Sequence, residues 1–241
     1  MALLQQEVPN LTEQFERQTA EGVLAWALER FHPRIALATG LQTEGMVVLD
    51  LAWRIEPNVR VFTIDTGRLH QETYDMMDRI RQRYGISIEV LFPDSAEVEK
   101  MVRTKGLNLF YESVENRTTC CAVRKVNPLR RHLAGLDAWM TGLRRDQSES
   151  RADTPKVEID SAHGGILKIN PIADWSQDRI DAYVKAHNLP QHPLYAKGYT
   201  SIGCLPCTRA TQPGENPRAG RWWWEQNPHK ECGLHLADKA Q

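Results

Sequence analysis

Long hydrophobic runs are missing from this sequence. None of its 241 residues belongs to the roughly 20-residue apolar stretch that a membrane-spanning helix needs. It opens Met-Ala-Leu-Leu-Gln-Gln-Glu-Val-Pro, without the basic and apolar regions of a secretory signal. An excess of charge is missing too. Thirty Lys and Arg stand against 31 Asp and Glu, which argues against nucleic acid or a membrane surface as partner. Neither a Walker A loop nor a Gly-x-Gly-x-x-Gly fingerprint occurs, and there is no internal repeat or low-complexity segment. Cysteine is scarce: five residues are too few and too oddly spaced for a secreted disulfide scaffold, so a cytoplasmic chain with free thiols is expected.

What is there is enough chain for one α/β domain with a sizeable core. The expected organisation is a single domain over 1–241, with an N-terminal helical region at 1–33 and a mobile tail at 225–241. Apolar spacing predicts helix from Leu11 to Phe31, ended by His32-Pro33. A short strand, Ile35 to Ala38, then leads through Thr39-Gly40-Leu41-Gln42-Thr43-Glu44-Gly45 into an apolar helix through Trp53. Val59 to Ile64 reads as a second strand, Asp65-Thr66-Gly67-Arg68 as a turn, Gln71 to Tyr84 as a helix and Ile86 to Leu91 as a third strand. A helix over Asp94 to Gly106, strands at Leu136 to Met140 and Ile166 to Ile169, and a helix capped by Ser176 follow; from Leu189 the chain reads as loops.

Such alternation indicates a parallel sheet covered on both faces, with ligands outside the carboxyl ends of its strands. The two polar turns leave from those ends and should share a rim. Backbone N–H groups at a helix start suit a phosphate, although an ordinary connection would look the same. Between Arg117 and Arg151 eight basic residues outnumber three acids, a local excess of five that could hold an anion. Arg144, in Thr141-Gly142-Leu143-Arg144-Arg145-Asp146-Gln147-Ser148, could fork onto an oxyanion or simply pair with Asp146.

The cysteines are Cys120 and Cys121 side by side, Cys204 and Cys207 in Cys-Leu-Pro-Cys, and Cys232 in Glu-Cys-Gly-Leu-His. Neighbouring Cα atoms lie about 3.8 Å apart, below the roughly 4.4 to 6.8 Å of an ordinary disulfide, so the vicinal pair stays free. Two pairs make a tetra-thiolate site for zinc or an iron-sulfur cluster. With Thr118 or Thr119 as cap, the vicinal cysteines would lie in the first turns of a helix, where the dipole favours thiolates. Lys125, four residues past Cys121, would share its face, or be a solvated lysine. Cys232 is left over, either an incidental thiol or a nucleophile activated by His235 or an arginine. Three consecutive tryptophans, Trp222 to Trp224, cannot all face a core.

Taken together, the two cysteine pairs, Arg218-x-x-Arg221-Trp-Trp-Trp-Glu, Glu-Cys-Gly-Leu-His, Ile64-Asp65-Thr66-Gly67 and Thr141 to Ser148 resemble the assimilatory adenylyl-sulfate (APS) reductases of bacteria, from about Arg34 to His235. The resemblance implies an adenine-nucleotide α-hydrolase-like, Rossmann-like α/β fold with a loop-rich C-terminal segment. It implies a [4Fe-4S] cluster on Cys120, Cys121, Cys204 and Cys207, and Cys232 as nucleophile. Lys125, Arg151, Arg218, Arg221 and His235 would bind substrate, with phosphosulfate on Thr39, Gly40, Leu41, Gln42, Thr43 and Glu44 and adenosine on Ile64, Asp65, Thr66 and Gly67. The implied reaction reduces adenosine 5'-phosphosulfate to sulfite and AMP through a Cys232 thiosulfonate, released by thioredoxin or a similar dithiol, in sulfate assimilation toward cysteine. A 3'-phosphoadenylyl-sulfate reductase and a zinc-stabilised nucleotide-binding module are the alternatives, and oligomeric state is left open. The Thr39 turn departs from the family's Ser-Phe-Ser-Gly-Ala-Glu or Ser-Leu-Gln-Ala-Glu, and the absent Ser-Gly-Gly-x-Asp-Ser signature argues against adenylating relatives of this fold.

Overall fold

A computed structural model describes residue 8 and residues 11–226. In chain order its main elements are helix α1 over 11–16, α2 Ala20–Phe31, β1 Ile35–Ala38, α3 Thr43–Ile55, β2 Arg60–Ile64, α4 Gln71–Tyr84, β3 Ile88–Leu91 and α5 Ser95–Lys105. Next come α6 Val114–Cys121, a π-helical turn Ala122–Val126, α7 Asn127–Leu133, β4 Ala138–Met140, β5 Val157–Asp160, β6 Ile166–Ile169 and α8 Gln177–His187. Most expected elements fall within a few residues of these bounds. The expected Leu11 to Phe31 helix is broken, because the Thr19 side chain accepts from Gly22 N and starts α2 afresh. Helix α5 has both its signals: Asp94 accepts from Glu97 N, and Gly106 at φ 81° ends it.

Two compact units make up the chain. Unit 1 is Met1–Thr63, Met76–Glu89 and Leu133–Gln191; unit 2 is Ile64–Asp75, Val90–His132 and His192–Gln241. The six strands lie in the order β3-β2-β1-β4-β6-β5. β1 runs parallel to both β2 and β4, and β4 parallel to β6, while β5 pairs antiparallel with β6. Sequence periodicity missed β5. Its four residues bury only their ends, Val157 and Asp160, so it carries neither a continuous apolar run nor strict alternation.

Ala36 and Leu37 of β1, Val61 and Phe62 of β2 and Ala138 to Met140 of β4 are buried, as central parallel strands require. α2 presents Ala20, Val23, Leu24, Ala27, Leu28 and Phe31 to this core at helical spacing. α3 is buried from Gly45 to Ala52. Each fully buried Val, Leu or Ile contributes about 1.5–3 kcal/mol, so this core is what holds the start of α3 in place. Unit 2 has its own smaller core of Met101, Leu109, Phe110, Cys120, Cys207 and Trp222. Two of those six residues are thiols, so its packing and its chemistry share the same side chains.

Candidate functional site

In unit 1 the strand order turns at β1 and β4, and the loops that leave both carboxyl ends touch. A Cβ on Gly142 would stand 3.0 Å from the backbone of Glu44 and Gly45, so only glycine lets the β4 turn approach so closely. Within the Thr39–Glu44 turn, Leu41 N donates to Thr39 Oγ1 at 2.9 Å, and Leu41 takes a left-handed φ of 58°. A Cβ on Gly45 would collide with Thr39 Oγ1. At the α3 N-cap, Gln42 makes no side-chain cap bond, and a helix start of this kind is where a phosphate can be met by backbone N–H groups.

Arg144 resolves to the paired reading. Nη1 donates to both Asp146 oxygens at 2.5 and 2.7 Å and to Trp175 O, while Nη2 donates to Glu44 Oε1 at 3.1 Å and Gln177 Oε1 at 2.6 Å. Gln147 adds a bond to Glu44 and accepts one from Arg151 Nη1 at 2.6 Å. Thr43 donates to Gln191 Oε1. The carboxylates neutralise the arginine, so what this turn offers an anion is backbone.

In unit 2 the Ile64–Gly67 turn is held from inside. Asp65 is buried, accepts from Gly67 N at 2.7 Å and takes the Tyr74 hydroxyl at 2.9 Å. Burial, together with that carboxylate, pushes the Tyr74 phenol up to about 12. Gly67 has φ 70°, and Thr66 O accepts from Arg124 Nη1 at 2.6 Å. The Thr66 hydroxyl and Cys204 Sγ are hydrogen-bonded at 3.2 Å.

Cys120, Cys121, Cys204 and Cys207 are unbridged thiols lining one partly open cavity, together with Arg68, Phe110, Arg117, Arg124, Lys125, Pro206 and Trp222. Placement of the vicinal pair corrects the expected helix start. Ser113 is the cap, accepting from Asn116 N, so α6 begins well before the cysteines. Thr118 and Thr119 donate instead to the carbonyls of Val114 and Glu115, one turn back. Both cysteines therefore sit at the end of α6, where the helix runs on into the π turn, and no open first-turn N–H serves them. Their electrostatics come from side chains. Burial opposes ionisation of Cys204, but Lys125, the Thr66 hydroxyl and Arg221 outweigh it and set the thiol below its ordinary value. Cys120 is pushed up by burial, and Cys207 goes up to about 12 for the same reason. Among the described residues no three His, Cys, Asp or Glu side chains form a group able to hold a single metal ion.

The Arg218 to Glu225 stretch folds back onto the Cys-x-x-Cys turn. Trp222 N donates to Cys207 O at 3.1 Å, Arg209 N to Gly220 O, and Thr208 bridges Arg221. Arg221 is buried: Nη1 reaches Ser201 Oγ and Ile202 O, and Nε has no hydrogen-bond partner among the described residues. Arg218 is half-buried, its N–H on Asn216 Oδ1. Of the three tryptophans, Trp222 is buried, Trp224 half-buried and Trp223 exposed. Cys232 and His235 lie outside the described residues. Sequence reasoning counted Arg117 and Arg124 only as charge and passed over Arg68. Their spacing to the cysteines, Arg117 four before Cys121 and Arg124 four after Cys120, was the available signal.

Residues 34–210 match the phosphoadenosine phosphosulfate reductase domain. An adenosine 5'-phosphosulfate reductase of Burkholderia cepacia is 49% identical over 228 residues, covering 95% of this chain and 90% of the relative. That of Pseudomonas aeruginosa strain LESB58 is 42% identical over 237 residues, covering 96% and 88%. Among solved structures, a phosphoadenylyl-sulfate reductase from Candida auris, in a phosphate complex, superposes with a TM-score of 0.72 at 26% identity, covering 85% of this chain and 97% of that one.

Proposed function

The chain belongs to the phosphoadenosine phosphosulfate reductase family, and from that premise we propose that it reduces adenosine 5'-phosphosulfate to sulfite and AMP in cytoplasmic sulfate assimilation. The observation that carries this reading is the cavity of unit 2, where four unbridged thiols and the cations Arg68, Arg117, Arg124 and Lys125 line one space. Four thiolates suit a [4Fe-4S] cluster, each on a separate iron and so more widely spread than four on one zinc. Cys120, Cys121, Cys204 and Cys207 would hold the cluster, which supplies a rigid centre and its field, without an electron for the reaction.

The chain's own residues do the rest. Cys232 thiolate attacks the sulfur of adenosine 5'-phosphosulfate; the S–O bond to phosphate breaks and AMP leaves with the electron pair, giving a Cys232 thiosulfonate. One thiolate of reduced thioredoxin then attacks Cys232 Sγ, sulfite departs, and the second thioredoxin thiol displaces Cys232 from the mixed disulfide. Lys125, Arg151, Arg218 and Arg221 stabilise charge on the sulfuryl and phosphate oxygens, His235 aids binding, and the uncapped start of α3 offers N–H groups to phosphate. The Ile64–Gly67 turn serves adenosine.

The similarity to a phosphoadenylyl-sulfate reductase favours one second reading, use of the 3'-phosphorylated nucleotide. Anaerobic assay with each sulfonucleotide and reduced thioredoxin, measuring sulfite, decides. Preferential turnover of the 3'-phosphorylated form, or no sulfite from either, overturns the proposal.

A further inference from the structure

One buried cation of the cysteine cavity has no part in the chemistry above. Arg117 stands four residues before Cys121 on α6, so the two share a helix face, and both line the cysteine cavity. The Arg117 guanidinium grips Glu225: Nε to Oε1 at 2.6 Å and Nη2 to Oε2 at 3.3 Å, with the side chains only 4% and 3% exposed. Its guanidinium carbon lies 4.6 Å from the Trp222 ring centroid. Trp222 holds a left-handed φ of 44°, a conformation that a bulky residue keeps only where its surroundings impose it. The Trp222 N–H is on Cys207 O, and Glu225 N closes a turn on Trp222 O at 2.9 Å.

A buried ion pair seldom adds stability over apolar packing of the same volume, so its presence here asks for another reason. That reason lies in what surrounds the arginine. Cys121 sits on α6, Trp222 is bonded to the second cysteine pair, and Glu225 closes the turn that Trp222 begins. We propose that Arg117 is the positioning residue of this centre: one guanidinium serves Cys121 and Glu225 together, so the four-thiol cavity and the Trp222–Glu225 strap are held in place as a unit. Arginine is needed because its planar fork can satisfy a carboxylate on one edge while another N–H faces sulfur; lysine has a single point charge.

The inference rests on the cluster reading, and its test separates the two. Wild type, Arg117→Met, Arg117→Lys, Glu225→Gln and the Arg117→Met/Glu225→Gln double variant are purified anaerobically. Iron and sulfide per chain, the resonance Raman Fe–S(Cys) stretches and the rate of bleaching by an iron chelator are measured. Outer partners of metal ligands typically matter by about 10–100-fold in metal affinity. Arg117→Met should therefore lose iron and sulfide and bleach on the order of ten-fold faster, with shifted Fe–S(Cys) stretches. Arg117→Lys should fall between it and wild type. Glu225→Gln should keep the wild-type stretches, because Arg117 still reaches Cys121, yet bleach faster. The double variant should bleach no faster than Arg117→Met. If Arg117→Met fails to fold, Arg117→Lys and Glu225→Gln carry the comparison. A loaded Arg117→Lys with wild-type stretches and bleaching rate sinks the inference alone; a wild type without iron and sulfide sinks the cluster reading and the inference with it.

Discussion

The start of α3 in unit 1 and the end of α6 in unit 2 treat charge in opposite ways. At α3 the one buried arginine is enclosed by Glu44 and Asp146, and the helix start carries no side-chain cap. At α6 the helix start is capped by Ser113, and cations are gathered around thiols at its far end. An anion at α3 would be met by backbone N–H groups, whereas thiolates at α6 are met by side chains. Unit 1 should therefore answer to substitutions that change the chain's course, and unit 2 to those that change charge.

The largest effect is expected where side chains are the site. Cys207→Ser should give a colourless protein with iron and sulfide near zero and activity down by more than about 100-fold, beyond what loss of an outer partner does. A coloured, fully active Cys207→Ser would remove the four-cysteine centre. Cys232→Ser should keep colour and nucleotide binding and release no sulfite, and sulfite at the wild-type rate from that variant would refute the nucleophile role.

Two cation removals sharpen the contrast. Lys125→Met should lower kcat/KM by about 10–100-fold, the equivalent of one charged hydrogen bond of about 1.5–3 kcal/mol, while the urea midpoint stays close to wild type. Arg144→Met should do the reverse. It strands Glu44 and Asp146 and should cost on the order of 3 kcal/mol of stability, reduced because Asp146 is partly exposed. If Arg144→Met leaves stability unchanged but abolishes nucleotide binding, the arginine belongs to the ligand and the contrast fails.

Acid should act on unit 1 through Asp50. Burial alone would raise its pKa, but hydrogen bonds from Arg54, Tyr183 and Tyr84 outweigh it and set the carboxyl below its ordinary value. A carboxyl with a depressed folded-state pKa stabilises the fold above its unfolded value of about 3.9, and that contribution disappears as pH falls through the lower folded value. Stability measured by urea unfolding should therefore be flat in this contribution at pH 5 and above, and decline below about pH 4. Asp50→Asn should cost about 2 kcal/mol at neutral pH and flatten the decline. An unchanged acid limb in that variant would assign the decline to other groups.

Much of the fold was legible because its elements are locally determined. β1 carries a continuous apolar run, β6 an apolar stretch interrupted only by Lys168 and stopped by Asn170-Pro171, and α4 and α8 helical spacing, and the sequence bounds coincide with the structure or nearly so. β5 was not legible, since an antiparallel edge strand of four residues leaves too weak a pattern. The α6 boundary was misread for a different reason. Ser113, Thr118 and Thr119 are all competent caps, and only the backbone bonds show that Ser113 caps while the threonines bond back to carbonyls. The four cysteines were legible as a set from number and spacing. Arg68, Arg117 and Arg124 were not, because a basic residue in sequence reads the same whether it faces water or a thiol.

The smallest predicted effects concern the caps, and they test the contrast most directly. Ser113→Ala removes the α6 cap and should cost about 1 kcal/mol with no change in nucleotide affinity, because no ligand uses that end. Gln42→Ser supplies α3 with the cap it lacks. The serine oxygen would accept from an N–H of the first turn, which should add up to about 1 kcal/mol to the stability of the free protein. A phosphate would then have to displace that bond, so nucleotide affinity should fall by a few-fold, about 1 kcal/mol. Calorimetric titration with adenosine 5'-phosphosulfate beside urea unfolding reads both. Stability and affinity moving in opposite directions at Gln42, and stability alone moving at Ser113, is what a backbone anion site at α3 requires. Tighter nucleotide binding by Gln42→Ser would mean that the hydroxyl itself reaches the phosphate and that α3 binds through side chains after all.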